Sequence, residues 1–243
     1  MLIDPSLAPV IAVGTFVAYV VLVFVLWKSV GFRYDRITES PRAIVRGLVL
    51  PIGAGAILLT AVTSALGWWQ AVLFEPAPAS ALWTWIVPVL LAVAAVGTVL
   101  SIDWRSPTAR LLPLIAVGVL FVGFAEELVT RGILVVGLRE GGVPEWAVVV
   151  VSAVLFGLLH GINGFFGQSW RLTALQVVIA TLMGVAFFST RMTTGTLLTA
   201  MLLHALWDFG VFGSQLTRGG VKPVVAIVQY AALVAGLVAV WFV

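Results

Sequence analysis

Residues 109–138 read ARLLPLIAVGVLFVGFAEELVTRGILVVGL, a run of 30 mostly apolar residues. A helix needs about 20 such residues to cross the hydrocarbon core of a bilayer. This run is therefore long enough to cross as a strongly tilted or kinked helix. Glu126, Glu127 and Arg131 lie in its second half. The sequence thus predicts a membrane-spanning helix that carries charged side chains at depth.

Seven further apolar runs flank this one, and the whole chain has the composition of a membrane protein. It is 62% hydrophobic and 9% charged, with a mean hydropathy of +1.17, whereas a soluble domain is about 25% charged. Helices are expected, because backbone polar groups in hydrocarbon must be satisfied within their own segment. We predict an all-α, polytopic transmembrane helical bundle of about eight helices, or seven if the glycine-rich boundary near 161–167 is no break. The other spans are 7–27, 44–66, 83–102, 145–167, 172–190, 194–212 and 221–243.

Basic residues predict how the bundle is oriented. Ten of the thirteen fall in loops on one side of an eight-span bundle, and lysine and arginine are enriched in cytoplasmic loops. We therefore expect the loop 28–46 to be cytoplasmic, in the membrane of a prokaryotic cell. Membrane orientation explains the net charge of +3 better than nucleic-acid binding does. The absence of cysteine excludes disulfides and thiolate chemistry.

Six Asp, Glu, Arg or His residues lie away from the ends of the predicted spans, and a charge at the bilayer centre costs roughly 2.5–3.5 kcal/mol. Each is therefore a candidate functional residue. Distances along the helices place them in one layer, at about 1.5 Å per residue. Alone, each could be a satisfied structural group, but the chain's only two histidines lie at the depth of the glutamate pair. The six are Glu126, Glu127, Arg131, His160, His204 and Asp208.

The spacing within the helices assigns partners. Glu127 and Arg131 are four residues apart and can form an ion pair on one helix face. Glu126 is rotated by about 100°, so it is free to face a cavity. His204 and Asp208 are also four residues apart, a spacing that lets two side chains hold one metal ion or one water.

Three motifs in successive spans resemble the CPBP family, also called the Abi or CAAX-protease family, which includes the type II CAAX prenyl endopeptidases. The first is Glu126-Glu127-Leu-Val-Thr-Arg131, followed by Gly132. The second is Phe156-Gly-Leu-Leu-His160, followed by Asn163. The third is His204-Ala-Leu-Trp-Asp208. The resemblance covers about residues 110–215.

The resemblance implies that water hydrolyses a peptide bond without a covalent enzyme intermediate. Glu126 would be the general base, and His160 would position the water. His204 and Asp208 would face the carbonyl oxygen or bind a metal. Glu127 and Arg131 would support the helix, with Phe156 and Asn163 as further supporting residues.

Two versions of this chemistry stay open. His160, His204 and Asp208 would form a zinc set with one open position, or the activated water would act without a metal. Asp208 stands where some relatives have Asn, and an ionised Asp cannot donate a hydrogen bond to an oxyanion. This favours a divalent ion, most simply zinc. The expected partners are the lipid bilayer and a membrane-bound protein or peptide substrate, prenylated or not, and no nucleic acid.

The chain divides into three predicted parts. Residues 1–108 form about three N-terminal transmembrane helices, 109–215 form the catalytic core, and 216–243 form a C-terminal transmembrane helix. Two alternatives compete with a peptidase. A transporter or proton-coupled carrier would spread polar residues through the membrane, and a non-catalytic immunity or scaffold protein would share the fold.

Overall fold

The computed structural model describes residues 4–242, and within them eight long helices form one bundle. The all-α fold class is confirmed. Extended pairing in this part of the chain is limited to an isolated bridge between Phe74 and Thr196. The helices are α1 (Pro5–Ser29), α2 (Pro41–Leu66), α3 (Leu82–Val99), α4 (Pro107–Glu140), α5 (Glu145–Phe166), α6 (Trp170–Thr194), α7 (Leu197–Thr217) and α8 (Pro223–Ala239).

The described residues contain the eight predicted helices, of which seven are long enough to be candidate membrane spans. Seven helices, α1 to α7, have at least 18 residues and enough apolar character to cross a membrane. α8 is apolar but has only 17 residues. At about 1.5 Å per residue it is about 25 Å long, at the lower limit for crossing a bilayer.

α4 is the central helix of the bundle. Every residue from Ala125 to Leu138 is buried, because α4 packs against α1, α2 and α7. Small residues allow the close approach. A Cβ at Gly123 would overlap the carbonyl of Met201 on α7, and one at Gly137 would overlap α1. The charged second half of the run 109–138 is therefore enclosed by protein.

Two helices depart from regular α geometry next to the predicted site residues. α4 contains a π turn over Leu128–Ile133. α5 ends in a 3-10 segment over His160–Phe166. It stops at Gly167, whose φ of 103° suits glycine.

The loops that were expected to share a membrane side lie next to one another. A Cβ at Gly167, between α5 and α6, would meet Asp35 in the first loop. Near the α3–α4 connection, the hydroxyl of Thr108 donates to the carbonyl of Leu216 at the end of α7, at 2.8 Å. At the opposite end of the bundle, the segment after α2 contacts the α6–α7 turn, and the backbone N–H of Glu75 donates to Gly195 O at 3.0 Å.

Candidate active site

The two glutamates lie directly before the π turn of α4. Glu126 and Glu127 are the last residues of regular α helix, and the turn covers Leu128–Ile133. A π turn interrupts the regular backbone hydrogen-bond ladder, and such turns are frequent at functional sites. The carbonyl of Arg131, inside the turn, accepts a hydrogen bond from Arg191 Nη1 on α6. A side chain from a neighbouring helix therefore fixes the turn.

Glu127 contacts two basic side chains. Its Oε2 atom lies 3.4 Å from Arg131 Nε, so the ion pair expected from the spacing is present. Its Oε1 atom lies 2.9 Å from His204 Nδ1 on α7, which the sequence did not foresee. Both Glu127 and Arg131 are fully buried. Glu127 thus orients His204 and leaves the Nε2 atom of that ring facing away from it.

The Nε2 side of His204 faces the other two carboxylates. Glu126 Oε2 is 4.0 Å away, and Asp208 Oδ2 is 3.7 Å away. The structure therefore brings together three of the four predicted catalytic residues. We call this group, with the supporting ion pair, the histidine cluster. It consists of Glu126, Glu127, Arg131, His204 and Asp208.

Two phenylalanines hold the cluster in place. The Arg131 guanidinium lies 3.9 Å from the ring centroid of Phe156, a cation–π contact. The Phe187 ring stacks on His204 at a centroid distance of 5.2 Å. Phe156 also contacts both histidine rings edge-on, His160 at 5.1 Å and His204 at 5.6 Å. It is placed to support both.

His160 lies where α5 changes to its 3-10 segment. Its Nδ1 atom is 3.0 Å from the carbonyl of Phe156, so an Nδ1–H donor there leaves Nε2 as an acceptor. Asn163 donates to Gln176 on α6 at 3.0 Å, and Gln176 donates to the hydroxyl of Tyr34 at 3.4 Å. Burial raises the pKa of Tyr34, in the first loop, to about 12. Asn163 thus links α5 to α6 and the first loop.

Two connected spaces reach these side chains. The open cavity, of about 720 Å³, is lined by His160, His204 and Asp208 and by residues of the first loop, α6 and α7. The inner chamber, of about 80 Å³, is lined by Glu126, His160 and Asp208 and by residues of α1 and α2. His160 and Asp208 line both spaces. Each of the four predicted catalytic residues therefore lines the chamber, the cavity or both.

The metal set expected from the resemblance is not assembled as a ligand group. Between residues 4 and 242, no three or more His, Cys, Asp or Glu side chains are arranged to hold a metal ion. His160 Nδ1 lies 3.0 Å from the carbonyl of Phe156, an arrangement that leaves Nε2 as the ring atom able to bind a metal. Zinc binding by His160, His204 and Asp208 stays a prediction.

A second charged cluster lies nearer the opposite end of the bundle. Glu75 Oε2 is 2.9 Å from Arg139 Nη1 and 3.5 Å from Arg191 Nε. Arg139 also pairs with Glu145. Arg191 was expected in a loop, but it is fully buried in α6, because α6 continues four residues beyond its predicted end at 190. We call these four residues the arginine clamp.

The comparisons with known proteins match this region of the chain. Residues 108–210 match the family model described as Rce1-like, type II CAAX prenyl endopeptidase Rce1-like. We call the matched segment the Rce1-like domain. It runs from the start of α4 into α7 and contains the four predicted catalytic residues, so the resemblance to the type II CAAX prenyl endopeptidases is confirmed. No curated protein and no solved structure matches the chain.

Most of the residues near the site that were not predicted from the sequence lie outside the motifs of the Rce1-like domain. Arg191 had a signal, since it sits in the polar stretch STRMTT at 189–194, which ended the predicted span. Tyr19 of α1 and Tyr34 of the first loop line the inner chamber. No motif marks either tyrosine, because their position depends on which helices pack side by side.

Proposed function

We propose that this protein is an intramembrane endopeptidase of the CAAX-protease type. It would hydrolyse a peptide bond in a membrane-associated protein or peptide, with a water activated by Glu126. The Rce1-like domain supports this class of activity. The CPBP or Abi relationship expected from the motifs belongs to the same proposal.

One observation carries the proposal. Glu126 Oε2 is buried and has no hydrogen-bond partner within residues 4–242, although buried polar atoms are normally paired. It borders the inner chamber, which adjoins the open cavity at His160 and Asp208. A buried, unpaired carboxylate beside a space large enough for water is suited to general-base catalysis.

The proposed reaction is a direct attack by water. Glu126 takes one proton from the water, and the resulting hydroxide forms a bond to the carbonyl carbon of the substrate. The tetrahedral intermediate then collapses. The C–N bond breaks, and the departing nitrogen receives the proton from Glu126, so that an acid and an amine are released. The Nε2 atom of His160 is available to accept a hydrogen bond from the water.

His204 and Asp208 would serve the carbonyl oxygen. With Glu127 accepting from Nδ1–H, a doubly protonated His204 would keep an Nε2–H that can donate to the developing oxyanion. Asp208, 3.7 Å from Nε2, would orient the ring. In other active sites, too, a carboxylate fixes the orientation of a catalytic imidazole.

Zinc stays a prediction of the resemblance, and none of these steps passes through it. Metal analysis of the purified protein and of the His204→Ala variant checks that prediction. A stoichiometric ion that is lost in the variant would support it, since His204 belongs to the expected ligand set.

The proposal is tested in two assays with the Glu126→Ala and His204→Ala variants. Proteoliposomes are given a fluorogenic farnesylated CAAX peptide, and the membrane proteome of cells with wild-type protein is compared with that of cells with Glu126→Ala. We expect wild type to cleave the peptide and both variants to lose that activity. An uncleaved membrane substrate should accumulate with Glu126→Ala.

Glu140→Ala is the matched control, because Glu140 is an exposed carboxylate on the same helix. If both active-site variants insert into the membrane and retain full cleavage, the peptidase proposal fails. If wild type cleaves no peptide and its proteome equals that of Glu126→Ala, the chain is a non-catalytic member of the fold.

We also propose that the loop 28–46 is cytoplasmic. The chain has no cysteine, so single substitutions can be labelled without background. An impermeant maleimide applied to intact bacterial cells should label Glu140→Cys, at the α4–α5 end, and should leave Glu39→Cys, in the first loop, unlabelled. The reverse pattern would invert the orientation.

A further inference from the structure

Tyr19 lies on α1, outside the Rce1-like domain. Its side chain is 1% exposed, yet its hydroxyl has no hydrogen-bond partner in the described part of the chain. A phenol hydroxyl can both donate and accept a hydrogen bond. Burying one without a partner costs free energy, so an unpaired hydroxyl at this depth indicates a ligand or water.

A second buried atom without a hydrogen-bond partner lines the same chamber. Tyr19 and Glu126 both line the inner chamber, and His160 lines both this chamber and the open cavity. Glu126 Oε2 is buried and lacks a hydrogen-bond partner among residues 4–242. A chamber of about 80 Å³ exceeds the roughly 10–15 Å³ that one water needs. A water there can satisfy both atoms.

The ring of Tyr19 is held in one position. Gly55 of α2 lies against the ring, and a Cβ at that residue would overlap it. α1 packs on both α2 and α4, so the hydroxyl is fixed relative to the helix that carries Glu126. A side chain that is already fixed beside the chamber can orient a water without first losing conformational freedom.

We infer that Tyr19 positions the water that Glu126 activates. The Tyr19 hydroxyl donates a hydrogen bond to one lone pair of the water. The water donates its own two hydrogen bonds to Glu126 and His160 and keeps the other lone pair for the substrate carbonyl. α1 thereby supplies a water-positioning residue that the Rce1-like domain does not contain. This inference rests on the proposed peptidase function.

Tyr19→Phe removes only the hydroxyl and keeps the ring against Gly55. With the farnesylated CAAX peptide in proteoliposomes, we expect kcat to fall about tenfold, the effect of one lost hydrogen bond in the transition state. KM and the unfolding temperature should not change. Tyr230→Phe makes the same chemical change at an exposed position on α8 and should behave as wild type.

The outcomes separate this inference from the proposed function. If Glu126→Gln is inactive while Tyr19→Phe keeps the wild-type kcat, the peptidase stands and the role of Tyr19 is wrong. A raised KM with unchanged kcat would also overturn it, because Tyr19 would then contact the substrate. Cleavage by Glu126→Gln would instead overturn the proposed function.

A second measurement does not depend on turnover. The infrared carboxyl band of Glu126 is identified by its loss in Glu126→Gln. Because the bridging water couples the two side chains, we expect this band to shift in Tyr19→Phe and to stay in place in Tyr230→Phe. An unshifted band in Tyr19→Phe would contradict the inference.

Discussion

The histidine cluster and the arginine clamp both contain buried charged residues, but they differ in the ratio of acidic to basic groups. The clamp has two carboxylates and two guanidinium groups, and Glu75 faces both Arg139 and Arg191. The histidine cluster has three carboxylates around His204 and a single guanidinium, and Glu126 keeps an unpaired oxygen. Unpaired buried charge lowers stability. Equal numbers of acidic and basic groups therefore indicate a structural role, and an excess of carboxylates indicates a catalytic role.

The two clusters are also connected. Arg191 of the clamp donates to the backbone carbonyl of Arg131, and the side chain of Arg131 pairs with Glu127. The clamp thus holds the π turn that presents the histidine cluster. Substitutions in the clamp should mainly affect stability, whereas substitutions at Glu126 should mainly affect activity.

The largest combined effect is expected for Glu127→Gln. This change leaves the buried Arg131 without its carboxylate, which should cost about 3–5 kcal/mol in the free energy of unfolding. It also weakens the hold on His204, so cleavage should be lost. Thermal unfolding in detergent and the peptide assay measure both effects, with Glu140→Gln as control. A Glu127→Gln protein as stable as wild type would contradict the assigned ion pair.

A smaller effect, on stability alone, is expected for Glu75→Gln. The buried guanidinium of Arg191 loses its carboxylate, which should lower the free energy of unfolding by about 3 kcal/mol. The remaining folded protein should cleave the peptide at the wild-type rate. Loss of cleavage in fully folded protein would show that the clamp takes part in the chemistry.

The smallest effect concerns pH and the first loop. The pKa of Tyr34 is raised from 10.0 to about 12, mainly by burial, so folding favours its neutral form. The stability from this preference is present below pH 10 and is lost as the pH rises towards 12. The difference in unfolding temperature between wild type and Tyr34→Phe should be constant up to pH 9 and shrink by a few degrees at pH 11. A constant difference would mean that Tyr34 is solvated.

Much of this arrangement follows from spacing within single helices. The run 109–138 predicted the central helix, and the intervals Glu127–Arg131 and His204–Asp208 predicted neighbours that the structure places 3.4 and 3.7 Å apart. The family resemblance followed from the same motifs.

What the sequence could not predict depends on contacts between helices. The bond from Glu127 to His204 requires α4 and α7 to meet at Gly123, and the burial of Arg191 requires the segment after α2 to fold over α6. Tyr19 reaches the chamber only because α1 packs beside α4. A single sequence does not show directly which helices pack against one another.

The most direct test compares Glu126→Gln with Glu75→Gln in the same two assays. We expect Glu126→Gln to lose cleavage by about 10²–10⁴-fold, the usual contribution of a general base, and to unfold at or above the wild-type temperature. Glu75→Gln should unfold at a lower temperature and keep its activity per folded molecule. A Glu126→Gln protein that cleaves the peptide at the wild-type rate would contradict the assignment of the histidine cluster as the catalytic site.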